Sequence, residues 1–139
     1  MTPFYSQDLD YSKYKVLAVD DVPLNLLLIK KMLSKFNFQF RTAANGQKAL
    51  DAVAEDKPDL ILLDLMMPGI DGFEVIRRLR ADPATEDINI VILSALNSNE
   101  DIVKGFKLGA NDFITKPIIM EKLLNCIVTQ IKLVESKGQ

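Results

Sequence analysis

The residue with the clearest chemical potential is Asp64, a carboxylate that directly follows a run of apolar residues. Residues 60–63 read Leu-Ile-Leu-Leu, and a Pro-Gly pair follows at 68–69. A short apolar run bounded by such a turn is typical of a buried strand in a parallel sheet. A carboxylate at the end of that strand is costly to desolvate unless another group compensates its charge. Ligands of open parallel sheets gather outside the carboxyl ends of the strands, so Asp64 lies where a reactive group is expected.

Four further polar residues follow other apolar runs in the same way: Asp20, Asp21, Ser94 and Lys116. The carboxyl ends of neighbouring parallel strands meet at one edge of a sheet, so we expect these side chains to converge on Asp64. Three carboxylates in one pocket repel one another, and a hard divalent cation relieves that repulsion. A site of few carboxylates, completed by water and a phosphate, suits Mg²⁺.

Each of these residues also has a purely structural interpretation. Asp20 or Asp21 could cap the following helix, because Asp is a favourable N-cap. Ser94 could be an ordinary loop hydroxyl, and Lys116, which precedes a proline, could be a surface charge. Since the structural interpretation requires all of these residues to reach one end of one sheet by coincidence, we favour a reactive site.

The chemistry that this set supports is phosphoryl transfer to a carboxylate. An ionised Asp64 can attack phosphorus and form an acyl phosphate. Such transfers depend on positioning and on neutralising the phosphoryl oxygens, and Mg²⁺, the Lys116 ammonium and the Ser94 hydroxyl would each take one oxygen. The chain contains no histidine, which excludes histidine metal sites, Ser-His-Asp or Cys-His catalysis and a role as a phosphohistidine carrier.

Length and composition fit a single globular domain. The chain has 139 residues, of which 48% are hydrophobic and 26% are charged, and its net charge of −2 offers no basic field for nucleic acid. The single cysteine, Cys126, excludes an internal disulfide and lies in an apolar helical stretch, where a packed thiol is expected. The sequence shows neither a membrane span nor a signal peptide, so we expect a cytoplasmic protein.

The elements that must position the reactive residues alternate along the chain. The predicted strands are 15–19, 39–43, 60–64, 89–93 and 112–115, and the predicted helices are 22–36, 45–55, 72–81, 98–108 and 120–135. This alternation predicts an α/β fold, a doubly wound, flavodoxin-like parallel sheet of five strands in the order 2-1-3-4-5 with five helices. We assign residues 1–14 to an N-terminal leader, 15–135 to the domain and 136–139 to a C-terminal tail.

Four segments carry a resemblance to a known family. They are Val-Asp-Asp at 19–21, the stretch 62–72 around Asp64, Leu-Ser-Ala at 93–95 and the stretch 109–117 that ends in Lys-Pro. In this order and at these separations they resemble the receiver domain of bacterial two-component response regulators. The resemblance extends from about residue 15 to residue 134, which is nearly the whole chain.

The resemblance implies that Asp64 is the phosphoacceptor of a two-component phosphorelay, supplied by a histidine kinase or a histidine phosphotransfer protein. It implies that the cofactor is Mg²⁺, bound by Asp20, Asp21, Asp64 and the backbone carbonyl of Met66. It also implies that Lys116 contacts the phosphoryl group. Such a domain assists its own phosphorylation and dephosphorylation and is a switch, not a turnover enzyme.

The resemblance further implies how the switch works. Ser94 and Ala95 lie at the phosphoryl-contacting turn, where Ser94 moves toward the phosphate while Phe113 swings inward. The Lys116–Pro117 peptide bond is implied to be cis. The surface that changes is formed by the fourth helix, the fifth strand and the last helix. It would be read by a downstream output protein or domain, or by a second copy of the chain upon phosphorylation.

The first helix carries a second apolar face. At about 100° per residue, the arc that predicts its buried side consists of Leu28, Ile29, Met32, Leu33 and Phe36. Leu24 and Leu27 lie toward the opposite, lysine-bearing side. In the family, histidine-bearing helices dock on this helix, so our hypothesis is that Leu24 and Leu27 form an apolar docking spot. Isolated exposed leucines need no functional explanation, and that alternative stays open.

Other interpretations remain beside this one. Phosphatases of the haloacid dehalogenase type also form an aspartyl phosphate, but they need a second acid at the position where this chain has Met66. A phosphorylation-independent binding module would be expected to lose the acidic pair, Asp64 or Lys116, and none is lost. The chain could also be a receiver excised from a longer regulator or from a hybrid histidine kinase, in whose receivers an Asn at the position of Asn25 is common.

Overall fold

A five-stranded parallel sheet with helices on both faces forms the fold in the computed structural model, which describes residues 11–137. The strands are β1 (Lys15–Val19), β2 (Gln39–Ala43), β3 (Leu60–Leu63), β4 (Asn89–Ser94) and β5 (Asp112–Thr115). Their order is β2-β1-β3-β4-β5, and every neighbouring pair is parallel. The predicted fold class and strand order are therefore confirmed.

The helices are α1 (Pro23–Leu33), α2 (Gly46–Glu55), α3 (Gly72–Ala81), α4 (Asn99–Leu108) and α5 (Met120–Lys137), with a short 3₁₀ helix (Ser34–Phe36) after α1. Side-chain caps fix where α2, α3 and α4 begin, because Asn45, Asp71 and Ser98 each accept a hydrogen bond from a backbone N–H three residues later. Helix α1 begins instead with Pro23 in its first turn. A proline is tolerated there because the backbone N–H that it lacks would have no acceptor within the helix.

Two apolar layers lie on opposite faces of the sheet. Alternate residues of β3 enter different layers: Leu60 and Leu62 pack with α1 and α5, whereas Ile61 and Leu63 pack with α2 and α3. All four are buried, which explains the uninterrupted apolar run in the sequence. Because β3 is the middle strand of the sheet, the residue that follows it emerges at the centre of one edge.

The N-terminal boundary of the domain lies earlier than predicted. Tyr11 and Tyr14 are buried in the core, and the Tyr11 ring stacks on Phe38 with 5.5 Å between centroids. The Tyr14 hydroxyl donates to the Glu135 carboxylate at 2.6 Å; burial and this carboxylate raise the pKa of Tyr14 to about 12. The leader assignment is therefore wrong for residues 11–14, while 1–10 lie outside the described residues.

Two further details at the ends and surfaces of helices differ from the prediction. Helix α5 continues to Lys137, two residues beyond its predicted end, so only 138–139 of the assigned tail lie outside the described residues.

In α1, Ile29 and Leu33 are buried, but the side chain of Leu28 is 45% exposed. Leu28 lies about 100° around the helix from Ile29, which turns it away from the sheet and toward the surface.

None of the helices within residues 11–137 is both long enough and apolar enough to span a membrane.

Candidate functional site

The carboxyl edge of the sheet brings together the charged residues that the sequence singled out. Asp20 follows β1, Asp64 follows β3 and Lys116 follows β5. Carboxylate oxygens of Asp20, Asp21 and Asp64 lie within 4.8 Å of one another. Asp20 and Asp64 are buried, whereas Asp21 is exposed, so the cluster opens to solvent on the side of Asp21.

Asp20 is the most enclosed carboxylate of the cluster, with 2% of its surface exposed. Its Oδ1 accepts a hydrogen bond from the backbone N–H of Val22 at 2.9 Å. Its Oδ2 accepts from Lys116 Nζ and from Asn25 Nδ2, each at 3.1 Å. A buried charge with donors on both oxygens is compensated, which explains how β1 can end in a carboxylate.

Lys116 lies between the two buried carboxylates. Its Nζ is 3.1 Å from Asp20 Oδ2 and 3.9 Å from Asp64 Oδ1. Its backbone N–H donates to the carbonyl of Ser94 at 2.8 Å, which ties the end of β5 to the end of β4. The Lys116–Pro117 peptide bond is cis, as the resemblance implies.

Within the described part of the chain, Asp64 accepts fewer hydrogen bonds than Asp20. Its side chain accepts a long hydrogen bond from the Met66 N–H, at 3.4 Å from Oδ1. Burial raises the pKa of Asp64, and so does the nearby Asp20 charge, while Lys116 opposes the rise. An incompletely satisfied carboxylate beside an ammonium keeps acceptor capacity for a ligand or for bond formation.

The loop that carries Asp64 is pressed against the start of α3. A Cβ on Gly72 would lie 2.5 Å from the Asp64 carbonyl oxygen and 2.8 Å from Leu65 Cα. These are backbone atoms that cannot move aside, so the position accepts glycine alone without a shift of the loop. The sequence Gly-Ile-Asp-Gly at 69–72 therefore sets the distance between α3 and the carboxylate.

Three residues expected at the switch, Ser94, Ala95 and Phe113, differ in their burial. Ser94 is buried, and its Oγ accepts from the Leu96 N–H at 3.2 Å, whereas Ala95 is exposed. The Phe113 ring is partly buried and faces α4, where a Cβ on Gly105 would lie 3.3 Å from it. The glycine in α4 thus allows the helix to approach the ring closely.

Residues 16–128 match the family described as Response regulator receiver domain. The chain belongs to this family. The match covers β1 from Val16 onward, the whole of β2 to β5 and the site residues just described. It supports a role in two-component phosphorelay signalling. It favours neither the phosphatase alternative nor the phosphorylation-independent one.

Relatives and solved structures agree with this assignment of a receiver domain. Response regulator PleD of Caulobacter vibrioides is 45% identical over 104 residues, which are 75% of this chain and 23% of PleD. Protein PilH of Pseudomonas aeruginosa is 36% identical over 113 residues, which are 81% of this chain and 93% of PilH. The receiver domain of a histidine kinase from Syntrophus aciditrophicus has a TM-score of 0.79 and 30% identity, covering 86% of this chain and 90% of that one. The chain thus spans less than a quarter of PleD and nearly all of PilH.

The donor set of this receiver domain fits a hard divalent cation. Asp20, Asp21 and Asp64 offer carboxylate oxygens within 4.8 Å of one another, and oxygen is the donor that Mg²⁺ and Ca²⁺ prefer. Asp21 is exposed, so a cation has a route of entry and can retain water ligands. The acidic cluster therefore passes the test of ligand type and access for a metal.

Sequence reasoning missed a groove beside the acidic cluster of the receiver domain. It has a volume of about 270 Å³, and its lining consists of Asn25, Leu28, Ile29, Met32, Lys116, Pro117 and Ile118. The groove joins α1 to the loop after β5, which are far apart in sequence. Leu24 and Leu27, the leucines of the predicted docking spot, are 60% and 48% exposed on α1 but are not among the residues that line the groove.

Proposed function

We propose that this receiver domain is a phosphoacceptor switch in which Asp64 takes a phosphoryl group from a phosphohistidine of a partner protein. One observation carries the proposal: three carboxylates within 4.8 Å of one another, with Lys116 Nζ 3.9 Å from Asp64. This arrangement supplies a nucleophile, a place for a cation and a fixed ammonium group in one open pocket. The partner is a histidine kinase or a histidine phosphotransfer protein.

The transfer forms one bond and breaks one. A carboxylate oxygen of Asp64 attacks phosphorus, the P–O bond forms, and the P–N bond of the phosphohistidine breaks with its electron pair on nitrogen. The histidine ring leaves as neutral imidazole when its other nitrogen carries a proton. Lys116 has three N–H donors. Within residues 11–137 one of them is engaged, by Asp20 at 3.1 Å, so Lys116 can also bind an oxygen of the phosphoryl group.

The proposed metal ligands are the carboxylates of Asp20, Asp21 and Asp64 and the backbone carbonyl of Met66. A bound Mg²⁺ would supply positive charge against the phosphoryl oxygens, which is the main requirement of this chemistry. Burial raises the pKa of Asp64, so the positive charges in the pocket also keep the nucleophile ionised.

The proposed function is tested by removing the metal. Incubation of the wild-type chain with acetyl phosphate and Mg²⁺ is expected to add one phosphoryl group, seen as a mass increase in intact-mass spectrometry. Excess EDTA is expected to abolish the increase, because Lys116 alone then faces the negative charges of three carboxylates and the phosphate. Equal phosphorylation with and without a divalent cation would contradict the proposal, and so would no phosphorylation in either condition.

In the proposed switch, the charge of the new phosphoryl group changes the conformation of a surface away from the acidic pocket. The Ser94 hydroxyl would leave the Leu96 N–H for a phosphoryl oxygen, and Phe113, which faces Gly105 of α4, would move inward. Ala95 lies in the same turn, and its backbone would contact the phosphate. The output surface is formed by α4, β5 and α5, where Val103, Phe106 and Leu133 are exposed; its reader is an output protein or domain, or a second copy of the chain. Phosphorylation thus acts as a local charge event on a bistable surface.

The groove beside α1 is the proposed docking place for the histidine-bearing helix of the partner. Lys116 lines it, so a helix in the groove would bring a side chain to the acidic pocket. The sequence hypothesis placed the apolar docking spot at Leu24 and Leu27. We extend this spot to Leu28, which is exposed and lines the groove. Lys30 and Lys31 are exposed nearby on α1, which suits a partner helix with acidic flanks.

Leu28→Lys is expected to slow phosphotransfer from the protein donor at least about tenfold in kcat/KM, because a charge buried without a partner in an apolar contact costs more than 1.4 kcal/mol. Phosphorylation by acetyl phosphate, which needs no docking, should remain at the wild-type rate. Leu133→Lys is the matched control, since Leu133 is 47% exposed but lies on α5. If Leu28→Lys slows both donors equally, the docking proposal is wrong.

A further inference from the structure

Asn25 connects the proposed docking groove to the acidic pocket. It lies in the first turn of α1, and its side-chain Nδ2 donates to Asp20 Oδ2 at 3.1 Å. It also lines the groove together with Leu28, Ile29 and Pro117. An asparagine at this position is common in the receivers of hybrid histidine kinases, but the sequence alone assigns no role to Asn25.

The hydrogen bonds of Asp20 show what the amide does. A carboxylate has about four acceptor positions. Two of them, on Oδ2, are used by Asn25 and Lys116, and one, on Oδ1, is used by the Val22 N–H. Among residues 11–137 no other donor reaches this carboxylate, so Oδ1 retains acceptor capacity for a cation. Two donors on Oδ2 prevent the carboxylate from rotating and exchanging its oxygens.

The surroundings keep the amide aimed at Asp20. Pro23 restricts the backbone at the start of α1, and the Asn25 N–H donates to the Val22 carbonyl at 3.0 Å. The other side chains that line the groove are apolar apart from that of Lys116, which is a donor and not an acceptor. Since Asp20 is 2% exposed, water has little access to replace the amide if it is removed.

We propose that Asn25 is a positioning residue of the metal pocket, which orients Asp20 so that Oδ1 faces the cation. The inference rests on the proposed function, because it concerns the same divalent cation, but it assigns a role to a residue outside the proposed ligand set. Groups that orient a metal ligand in this way contribute about 10- to 100-fold to affinity. Because Asn25 also lines the groove, a partner helix seated there would contact the residue that orients Asp20.

The test is Mg²⁺ affinity, measured by isothermal titration calorimetry on Asn25→Leu. Leucine has a similar shape but no donor, and it fits both a helix and an apolar groove. We expect the affinity to fall about tenfold. The melting temperature without Mg²⁺ should fall by only a few degrees, because Lys116 and the Val22 N–H still donate to Asp20. Asn99→Leu is the matched control, because Asn99 is an exposed asparagine in the first turn of α4, and its affinity should not change. Asn25→Ala is measured in parallel, so that the test does not depend on how leucine packs.

The outcomes separate this inference from the function on which it rests. If the wild-type chain binds no Mg²⁺, the proposed function itself fails. If the wild type binds Mg²⁺ and both Asn25 variants bind it equally well, only the positioning role is wrong. A loss of affinity that is accompanied by a large loss of metal-free stability would also overturn it, because Asn25 would then serve folding and not the orientation of Asp20.

Discussion

Asp64→Asn is expected to abolish phosphorylation by acetyl phosphate at saturating Mg²⁺. An amide oxygen is a far weaker nucleophile than a carboxylate, and the variant also loses one of the three charges of the acidic cluster. Intact-mass spectrometry should show no phosphoryl adduct at times when the wild type is fully modified. Asp71→Asn is the matched control, because Asp71 is exposed in the same loop and an asparagine still caps α3.

A phosphoryl adduct on Asp64→Asn at the wild-type level would contradict the assignment of the acceptor. An adduct lost from both Asp64→Asn and Asp71→Asn would show that the loop, and not one carboxylate, is what the reaction requires.

Asp64→Asn is also expected to be more stable than the wild type at pH 7 without a divalent cation. Burial raises the pKa of Asp64 in the folded chain above its ordinary value of 3.8. At a pH between the ordinary pKa and the raised pKa, the folded chain therefore binds more protons than the unfolded chain. The free energy of unfolding therefore falls as the pH rises through this window, and the wild type carries that cost at pH 7. Asn has no charge to desolvate, so the difference in urea unfolding should disappear below the ordinary pKa. A variant less stable than the wild type at pH 7 would contradict this.

Lys116→Met is expected to impair both folding and phosphorylation. Its Nζ lies 3.1 Å from Asp20 and 3.9 Å from Asp64, and removing one member of a buried ion pair costs about 3 kcal/mol. Without Mg²⁺, urea unfolding should show a loss of that size. The rate of phosphorylation by acetyl phosphate should fall about 100-fold, which is the usual effect of losing one group that stabilises developing charge.

Lys116→Arg serves as the companion variant, because it keeps the charge but replaces a compact ammonium by a planar guanidinium. It should recover most of the stability and little of the rate, since the phosphoryl contact depends on geometry. If Lys116→Met unfolds at the wild-type urea concentration in metal-free buffer, the ion pair does not compensate Asp20 as described.

Most of the fold could be predicted from the sequence because local patterns are strong in parallel α/β proteins. The buried run at 60–63 and the alternation of strand and helix patterns leave few topologies. The predicted leader was wrong for residues 11–14, because the contact that fixes Tyr14 is not local. Tyr14 is fixed by Glu135, a partner 121 residues away, and no local pattern reports a contact over that distance.

The candidate site was partly predictable on the same grounds. Residue types at strand ends were enough to expect that Asp20, Asp64 and Lys116 would meet, because the sheet topology fixes where strand ends lie. The partners of each oxygen were not predictable. That Asn25 would donate to Asp20, and that Leu28 would line a groove with Pro117, depends on side-chain rotamers and on the path of the loop after β5.

The burial of Tyr11 and Tyr14 has a consequence for how this chain is observed in solution. The chain has three tyrosines and no tryptophan, so its intrinsic ultraviolet fluorescence comes from tyrosine alone. Two of the three lie in the layer beneath α1 and α5, and one is hydrogen-bonded to the end of α5. The emission of the unlabelled chain therefore reports on whether its last helix is in place.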